Sequence, residues 1–424
     1  MTNLIQSIKP GKRLKITGGG PLFGQCDIST SKNAVLPILA AALLTSEPVT
    51  IRKVPDISDV KNMFTLLRAF GARVSVSEDA VTIITKSIKT TSPAANIMER
   101  LRASILFMGP MLAREGSVTL PLPGGCRIGS RPIDIHIQGF RALGAKSVTV
   151  NGHVHAWGHP LRGAEIALRF PSVGATENLI MAAALAEGTT VIHGAAAEPE
   201  VIDLIHFLNS MGAQIEPDAG RIVIHGVDAL SGTDYTPISD RIEAGTLMLA
   251  AAVTGGEVSL YRASAAHLKP VCDKLIEAGA EIFPFEGGLK VRGRGARPMD
   301  IVSSPYPGFP TDMQAPFMAA CCFAKGQSRI NETIFENRFL HVDELKKMGA
   351  DITVTGATAV INGMGCLYGA EVIATDLRAG AALCIAGLFA KGDTIISDIY
   401  HLDRGYENFE DKLLTLGASI VRLS

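Results

Sequence analysis

An internal repeat constrains the fold of this chain more than any other feature. Six times, a Gly-Ala pair ends a segment of helical spacing and begins a short segment that alternates like a β-strand. The repeat glycines are 73, 68, 67, 70 and 68 residues apart, at Gly71, Gly144, Gly212, Gly279, Gly349 and Gly417. Each is predicted to end its helix in the left-handed conformation that favours glycine.

A repeat of about 68 residues is too short to bury a core by itself, so the copies must pack together. Stacking into a solenoid is one arrangement that the repeat allows. The copies lack the short period and fixed consensus of known arrays, and we favour two domains with three repeats each. The polar stretch Ser231–Asp240 follows the third repeat and is the natural boundary.

A second mark recurs at the start of each Ala-rich helix, where the residues are polar or basic. These positions are 70, 72, 67, 71 and 66 residues apart, at Lys32, Arg102, Gly174, Arg241, Asp312 and Arg378. N-capping accounts for the nearby Ser31, Thr311 and Asp376. It does not account for the cations, which oppose the helix dipole. We favour a bound anion at these helix starts, and pairing with Asp240, Glu243 or Asp376 is the alternative.

The composition excludes several classes of protein. With 40 basic and 41 acidic residues, the chain has no globally basic surface for nucleic acid. The longest apolar run, Ala379–Ala390, has 12 residues, and a membrane-spanning helix needs about 18. Seven cysteines without a C-x-x-C pair predict free thiols in a reducing cytoplasm.

Familiar catalytic motifs are missing from the sequence. It contains no G-x-x-x-x-G-K-[ST] loop, no G-x-S-x-G elbow and no H-E-x-x-H motif. His153, His155 and His159 form an H-x-H-x-x-x-H pattern that could bind a metal. No Cys or carboxylate ligand lies beside them, so exposed hairpin histidines are the favoured interpretation.

Cys126 stands out among the cysteines. It lies in a loop of prolines and glycines, PLPGGCRIGSRP, over residues 121–132. Arg127 and Arg131 lie close by in the sequence and would stabilise a thiolate there. A reactive role is therefore predicted for Cys126.

Seven sequence segments in a fixed order resemble the UDP-N-acetylglucosamine 1-carboxyvinyltransferase family of enolpyruvyl transferases. The match runs from about residue 11 to the C-terminus. Its segments are SKNA, PGGCRIGSRPIDIH, PSVGATEN, FPTDMQA, FENRFLHVDEL, ATDLRAG and HLDRGYENFEDKL. No single segment is decisive, but seven in register are specific. The related enolpyruvylshikimate-phosphate synthases lack the cysteine loop.

The resemblance implies an α/β fold of two domains, each an inside-out α/β barrel of three repeats. It places residues 1–31 with residues 240–424 in the C-terminal, catalytic-side domain. Residues 32–239 then form the N-terminal domain that carries the cysteine loop 121–132. The active site is expected in the cleft between the two domains.

The resemblance also implies the reaction. The enolpyruvyl group of phosphoenolpyruvate passes to the 3-hydroxyl of UDP-N-acetylglucosamine, and phosphate leaves. This is the first committed step of peptidoglycan synthesis. One acid and one base suffice for this addition and elimination, so no metal or organic cofactor is expected.

Residue roles follow from the same resemblance. Asp312 is implied as the base, and Cys126 as the proton donor that can also hold phosphoenolpyruvate covalently and react with fosfomycin. Lys32 joins them as a catalytic cation. The implied substrate-binding residues are Lys32, Asn33, Arg102, Arg131, Pro132, Ile133, Asp134, Ile135, Ser172, Val173, Gly174, Asp312, Ile334, Arg378 and Arg404. Phe170 departs from the family, whose members often carry a basic residue there.

Two other functions are compatible with such a sequence. One is enolpyruvyl transfer to another hydroxyl, such as that of a shikimate phosphate, which Cys126 and the FENRF segment disfavour. The other is a non-catalytic sugar-nucleotide sensor. The joint presence of Lys32, Cys126, Asp312 and Arg404 disfavours it, because a pure binding protein needs no acid and base. The expected partners are the two substrates, without nucleic acid or membrane.

Overall fold

The computed structural model describes residues 13–94, 98, 102–122, 129, 132–218 and 220–423, which fold into two units. The terminal unit takes residues 13–29 and 239–423, together with Gly129. The central unit takes residues 30–122 and 132–238, apart from those outside the described ranges. Each unit has its own hydrophobic core.

Helices recur at regular intervals along the described ranges. The α-helices are α1 Lys32–Ala41, α2 Ser58–Phe70, α3 Met108–Glu115, α4 Asp134–Ala142, α5 Val173–Ala183, α6 Pro199–Ser210, α7 Arg241–Thr254, α8 Lys269–Glu277, α9 Gln314–Phe323, α10 Val342–Lys347, α11 Leu377–Phe389 and α12 Phe409–Thr415. Short 3-10 helices span Ala42–Leu44, Arg102–Phe107, Ala266–Leu268, Thr311–Met313 and Ile399–Arg404.

The strands are short, mostly of three to five residues. They are β1 Arg13–Thr17, β2 Phe23–Asp27, β3 Val49–Arg52, β4 Arg73–Val76, β5 Ala80–Ile84, β6 Ser117–Pro121, β7 Lys146–Val150, β8 His153–Trp157, β9 Glu165–Ala167, β10 Thr189–His193, β11 Gln214–Asp218, β12 Arg221–His225, β13 Thr233–Tyr235, β14 Glu257–Tyr261, β15 Glu281–Phe285, β16 Gly288–Arg292, β17 Asp300–Val302, β18 Gly326–Asn331, β19 Asp351–Thr355, β20 Thr358–Gly363, β21 Glu371–Ile373, β22 Asp393–Ser397 and β23 Ser419–Leu423.

The described strands form six sheets, three in each unit. Five have four strands: β13-β3-β5-β4 and β11-β12-β10-β9 in the central unit, and β15-β16-β14-β2, β17-β18-β20-β19 and β21-β22-β1-β23 in the terminal unit. The sixth is β6-β8-β7. Each four-stranded sheet joins one parallel edge pair to two antiparallel pairs, as β17, β18, β20 and β19 do. The chain therefore has an α/β fold whose sheets repeat one pairing pattern.

The repeat glycines behave as their sequence predicts. Each follows the end of a helix, and their φ angles are 111°, 92°, 98°, 103°, 91° and 91° in chain order. All six lie in the left-handed region, where a Cβ atom would be strained. The prediction that glycine ends each repeated helix is confirmed.

The Ala-rich helices form the centre of each core. In α1, α5, α7, α9 and α11 nearly every residue is buried, as expected for a helix that is apolar on all sides. Small residues let such helices approach closely. A Cβ atom on Gly109 of α3 would lie 2.3 Å from the backbone oxygen of Asn178 in α5. Close helix packing thus explains a core rich in alanine and poor in aromatic side chains.

None of the helices in the described ranges is both long and apolar enough to cross a membrane.

Replacement of Gly417 by alanine tests the left-handed helix ends. No atom lies within 4 Å of the Cβ position, and φ is +91°, so Gly417→Ala should destabilise the chain through backbone strain alone. We expect a loss of about 1–2 kcal/mol in the free energy of unfolding, measured by urea denaturation. Gly20 also faces open space and lies outside the left-handed region, so Gly20→Ala is the matched control and should cause no loss of stability. Equal losses in both variants would contradict the interpretation.

Candidate active site

The predicted site residues divide between the two units. Lys32, Asn33, residues 132–135 and residues 172–174 belong to the central unit. Asp312, Ile334, Arg378 and Arg404 belong to the terminal unit. Cys126, Arg131 and the side chain of Arg102 lie outside the part of the chain that is described, so their predicted roles stay predictions.

Asp312 is held between two arginines in the terminal unit. Its Oδ1 accepts a hydrogen bond from Arg338 Nη2 at 2.7 Å, and its Oδ2 accepts one from Arg378 Nη2 at 2.6 Å. The arginine side chains are 4% and 5% exposed, whereas the Asp312 side chain is 26% exposed. The carboxylate is thus fixed by two buried cations and remains accessible. We call this group the Asp312 clamp.

Three separate segments meet in the Asp312 clamp. Asp312 lies in the 3-10 turn Thr311–Met313, immediately before α9. Arg378 is the second residue of α11, and Asp376 caps that helix by accepting hydrogen bonds from the N–H groups of Arg378 and Ala379. Arg338 comes from the loop between β18 and α10. The N-cap predicted at Asp376 is confirmed.

The two arginines also rest on aromatic rings. Arg378 Cζ lies 5.4 Å from the centre of the Tyr406 ring, and Arg338 Cζ lies 5.5 Å from that of Phe335. Burial lowers the pKa of Arg378, but the Asp312 carboxylate and its other neighbours raise the pKa by more, so the net shift is upward. Arg378 is therefore a permanent cation despite its burial.

Glu332 connects the Asp312 turn to the loop that carries Ile334. One of its oxygens accepts a hydrogen bond from Thr311 Oγ1 at 2.9 Å. The other accepts hydrogen bonds from the N–H groups of Ile334 at 2.8 Å and Phe335 at 3.2 Å. Thr311 thus uses its hydroxyl to hold Glu332, in place of the capping role that the sequence suggests. The N–H of Ile334 is engaged, so a ligand contact through its backbone would use the carbonyl group.

Arg404 is the last residue of the 3-10 turn Ile399–Arg404 and is half-buried. This turn packs on α11, where a Cβ atom on Gly380 would lie 2.9 Å from Leu402 Cγ. Tyr406, two residues after Arg404, places its hydroxyl 3.0 Å from Thr246 Oγ1 and its ring beneath Arg378. Arg404 therefore ends a turn that packs directly against α11, the helix of Arg378.

In the central unit, Lys32 begins α1 and its ammonium group lies 3.4 Å from Asp59 Oδ2. Asp59 is buried in the first turn of α2. Ser31 takes the N-cap position, but its side chain makes no capping hydrogen bond. The cation at this helix start is thus balanced by Asp59, which was not among the partners considered from the sequence. Asn33, the next residue, is half-buried.

The segment Ser172–Gly174 forms the start of α5. Ser172 is the N-cap and its Oγ accepts a hydrogen bond from the N–H of Ala175 at 3.4 Å. Asn178, one turn later, accepts one from the N–H of Gly109 at 2.8 Å and donates to the carbonyl of Ile105 at 3.1 Å. This side chain therefore ties the start of α5 to the segment that begins at Arg102.

Residues 132–135 lie at the start of α4, with Pro132 exposed, Ile133 at the N-cap position and Asp134 and Ile135 in the first turn. Asp134 accepts a hydrogen bond from Arg169, which the sequence interpretation missed. Phe170, the family departure, is next to Arg169 in sequence and 39% exposed. A small open pocket of about 150 Å³ lies beside this ion pair, lined partly by Ile135 and Gln138. Arg169 is thus a cation next to Phe170, the position at which this chain lacks a basic residue.

Within the described ranges, no three His, Cys, Asp or Glu side chains are arranged to hold a metal ion. His153 and His155 lie on the hairpin strand β8, where the imidazole of His155 stacks on Trp157.

Known proteins that resemble this chain are carboxyvinyl or enolpyruvyl transferases. The family described as EPSP synthase (3-phosphoshikimate 1-carboxyvinyltransferase) matches residues 16–413. A UDP-N-acetylglucosamine 1-carboxyvinyltransferase 2 of Carboxydothermus hydrogenoformans is 50% identical, over 97% of this chain and 100% of that protein. A UDP-N-acetylglucosamine 1-carboxyvinyltransferase of Coxiella burnetii is 51% identical, over 97% of this chain and 96% of that protein.

Solved structures share the fold. The crystal structure of the enolpyruvyl transferase NikO from Streptomyces tendae has a TM-score of 0.86 at 25% identity, covering 97% of this chain and 99% of that one. An EPSP synthase of Acinetobacter baumannii has a TM-score of 0.75 at 19% identity with the same coverage. The family resemblance predicted from seven segments is confirmed.

His341 offers a test of the charges around the Asp312 clamp. It is 1% exposed, and burial lowers its pKa to about 4, with Asp376 opposing and Arg338 reinforcing that shift. The folded chain then keeps His341 neutral where the unfolded chain, with a pKa near 6.5, takes up a proton. The contribution of His341 to stability is therefore complete above pH 6.5 and declines as the pH falls toward 4. Between pH 7 and 5, the change in unfolding free energy measured by urea denaturation should be less favourable for the wild type than for His341→Gln by about 2 kcal/mol.

The control for this measurement is His155→Gln, because His155 is exposed. It should lose stability with acidification as the wild type does. If His341→Gln shows the same pH dependence as the wild type, His341 is not the neutral buried group described here.

Proposed function

We propose a function for this chain, which belongs to the UDP-N-acetylglucosamine 1-carboxyvinyltransferase family within the EPSP synthase family. Its proposed product is enolpyruvyl-UDP-N-acetylglucosamine. The enolpyruvyl group comes from phosphoenolpyruvate, the acceptor is the sugar 3-hydroxyl, and inorganic phosphate is released. The product enters peptidoglycan synthesis. The observation that carries this function is about 50% identity to enzymes of that name over nearly the whole of both chains.

Asp312 takes the role of base in this proposal. Its clamp leaves the carboxylate accessible while Arg338 and Arg378 fix both of its oxygens. Two charge-assisted hydrogen bonds stabilise the ionised carboxylate, which makes it a weak base. Precise placement against the acceptor hydroxyl must therefore contribute much of the rate, and a rigid clamp of this kind supports such placement.

Cys126 takes the role of proton donor. In the addition step, Asp312 accepts the proton of the 3-hydroxyl, the oxygen bonds to C2 of phosphoenolpyruvate, and the Cys126 thiol protonates C3. In the elimination step, the Cys126 thiolate takes a proton back from C3, the double bond returns, and the C2–oxygen bond to phosphate breaks as the departing phosphate takes the proton held by Asp312. This sequence balances protons with one acid and one base, so the proposal includes no cofactor.

Several cations are assigned to the anionic groups of the substrates. Lys32, Arg131 and Arg404 are assigned to the phosphate and carboxylate of phosphoenolpyruvate, and Lys32 also to catalysis. The position of Lys32 in the first turn of α1 supports this, because amide N–H groups there also attract an anion. Asn33, Arg102 and Arg378 are assigned to substrate binding as well.

The sugar nucleotide is assigned to the starts of α4 and α5 and to the Ile334 loop. Residues 131–135 and Ser172–Gly174 would contact the uridine and diphosphate, and the N-terminal end of α5 favours negative charge. Arg169 supplies a cation next to Phe170, where members of the family often have a basic residue. This arrangement supports diphosphate binding despite the departure at Phe170.

The finer architecture is also a proposal. Three sheets in each unit, with a repeated pairing pattern around fully buried helices, support an inside-out α/β barrel of three repeats per domain. We place the domains at residues 1–31 with 240–424 and at residues 32–239, and we propose a cytoplasmic location.

Acceptor-dependent release of phosphate tests the function. Purified protein given phosphoenolpyruvate should release phosphate only when UDP-N-acetylglucosamine is present, measured by a coupled colorimetric assay. 3-Phosphoshikimate should be inert in the same assay, because the relatives at about 50% identity are named for the sugar nucleotide, whereas only the family model and a structure at 19% identity are named for EPSP synthase. Phosphate release with 3-phosphoshikimate instead would overturn the proposal.

In the same assay, Asp312→Asn should reduce turnover at least about 10²-fold, yet the variant should still bind UDP-N-acetylglucosamine in calorimetry.

Covalent labelling tests the role of Cys126. Fosfomycin presents an anion to the proposed cation site and an electrophilic carbon to the thiolate. Intact-protein mass spectrometry should show one adduct, formed faster with UDP-N-acetylglucosamine, and peptide mapping should place it at Cys126. The buried Cys321, Cys322 and Cys384 should stay unmodified, because burial raises the pKa of each thiol. A label on Cys26 or Cys366, with Cys126 untouched, would refute the assignment.

A further inference from the structure

Arg422, near the C-terminus, binds two carboxylates at once. Its Nη1 and Nη2 donate to the two oxygens of Asp403 at 3.0 and 2.7 Å, and its Nε donates to Glu410 Oε1 at 2.8 Å. Only 9% of the Arg422 side chain is exposed. Burial lowers the pKa of this guanidinium, but its hydrogen bonds to Asp403 and Glu410 raise the pKa by more. The Arg422 guanidinium is thus buried, fully charged and hydrogen-bonded to two carboxylates.

The repeat shows that a charge is unusual at this position. Arg422 comes five residues after the repeat glycine Gly417. The residues five positions after the other repeat glycines are uncharged: Val76, Thr149, Pro217, Pro284 and Val354. The sixth repeat therefore differs from the other five by an arginine at the equivalent position.

The strand also places Arg422 toward the core. Side chains alternate along a strand, so Arg422 shares the face of Ile420, which is buried. A buried ion pair is weak evidence of stabilisation, because desolvation of the charges offsets their attraction. Apolar residues would fill such a position at no electrostatic cost. The charge is better explained by the geometry that it imposes on its partners.

Those partners lie on either side of Arg404. Asp403 is the preceding residue in the 3-10 turn. Glu410 lies in α12, which follows the turn after a loop of residues 405–408. The loop between them is also anchored at Glu407, whose Oε2 accepts a hydrogen bond from Ser29 Oγ at 2.6 Å. Asp403 is thus held by a planar, bidentate contact directly beside Arg404.

We propose that Arg422 is a positioning residue for phosphoenolpyruvate: by clamping Asp403 and Glu410, it fixes the direction in which Arg404 presents its guanidinium to the substrate. This inference rests on the proposed function, since it takes phosphoenolpyruvate as the anion bound by Arg404. Arg422 itself does not touch the substrate. Its effect is expected on substrate affinity, through a shift of the turn that carries Arg404.

Steady-state kinetics of Arg422→Lys and Asp403→Asn test the inference. Lysine keeps the charge but cannot form the bidentate contact, and asparagine removes the carboxylate while keeping its shape. Each variant should raise the KM for phosphoenolpyruvate about tenfold, as expected for loss of a charge-assisted hydrogen bond. The kcat and the KM for UDP-N-acetylglucosamine should change less than about twofold. The double variant should resemble either single variant, because both remove one contact.

Arg52→Lys is the matched control. The guanidinium of Arg52 in β3 donates two hydrogen bonds, of 2.7 and 2.5 Å, to Asp234 in β13 of the central unit. Arg52 has no assigned role in the reaction. This variant should leave the KM for phosphoenolpyruvate unchanged.

The outcomes separate the two proposals. A lower kcat with an unchanged KM for phosphoenolpyruvate would make Arg422 a merely structural residue, and additive effects in the double variant would refute the shared contact. If Arg422→Lys does not fold, Asp403→Asn decides alone. A wild type without acceptor-dependent phosphate release would overturn the proposed function and this inference together, whereas an active wild type with normal variants would overturn only the inference.

Discussion

Close packing of helices that are buried on every side is the constraint on which the rest of the structure depends. Helices such as α7, α9 and α11 have almost no exposed residue, so they consist of small and apolar side chains. Their charged side chains are restricted to the first turns. Because amide N–H groups there attract negative charge, the ends of these helices are where anions can be held. The location of the candidate site therefore follows from the way the core is built.

The same constraint explains why the buried charges are paired with charges of opposite sign. A guanidinium that leaves water needs a partner, and removal of that partner leaves a costly buried charge. Arg338 and Arg378 share the carboxylate of Asp312, Lys32 lies against Asp59, and Arg422 lies against Asp403 and Glu410. Each network fixes the direction of a side chain. Fixed direction is what proton transfer to and from an enol ether requires.

Sequence reasoning succeeded at most positions where the signal was local, although the side-chain caps expected at Ser31 and Thr311 are not formed. The repeat glycines, the helix starts at Lys32 and Arg241 and the cap at Asp376 all depend on residues within one turn. It failed where a partner was distant. Arg338 and Arg378 lie 26 and 66 residues from Asp312, and Arg169 lies 35 residues from Asp134. The signal for Arg338 was within reach, because it belongs to the FENRF segment that carried the family resemblance.

By itself, the sequence determined the number of repeats and their left-handed helix ends, because helix termination and strand alternation are set by neighbouring residues. The family, and the α/β class that it implies, came from the resemblance of seven segments in register. Only the tertiary structure decided which charges meet. Asp312 could have been a helix cap, and Arg422 reads as a solvated residue near the chain end. Both acquire their environment from side chains on other segments that packing brings within hydrogen-bond distance. Ion pairing between such segments follows the path of the whole chain, which no local pattern records.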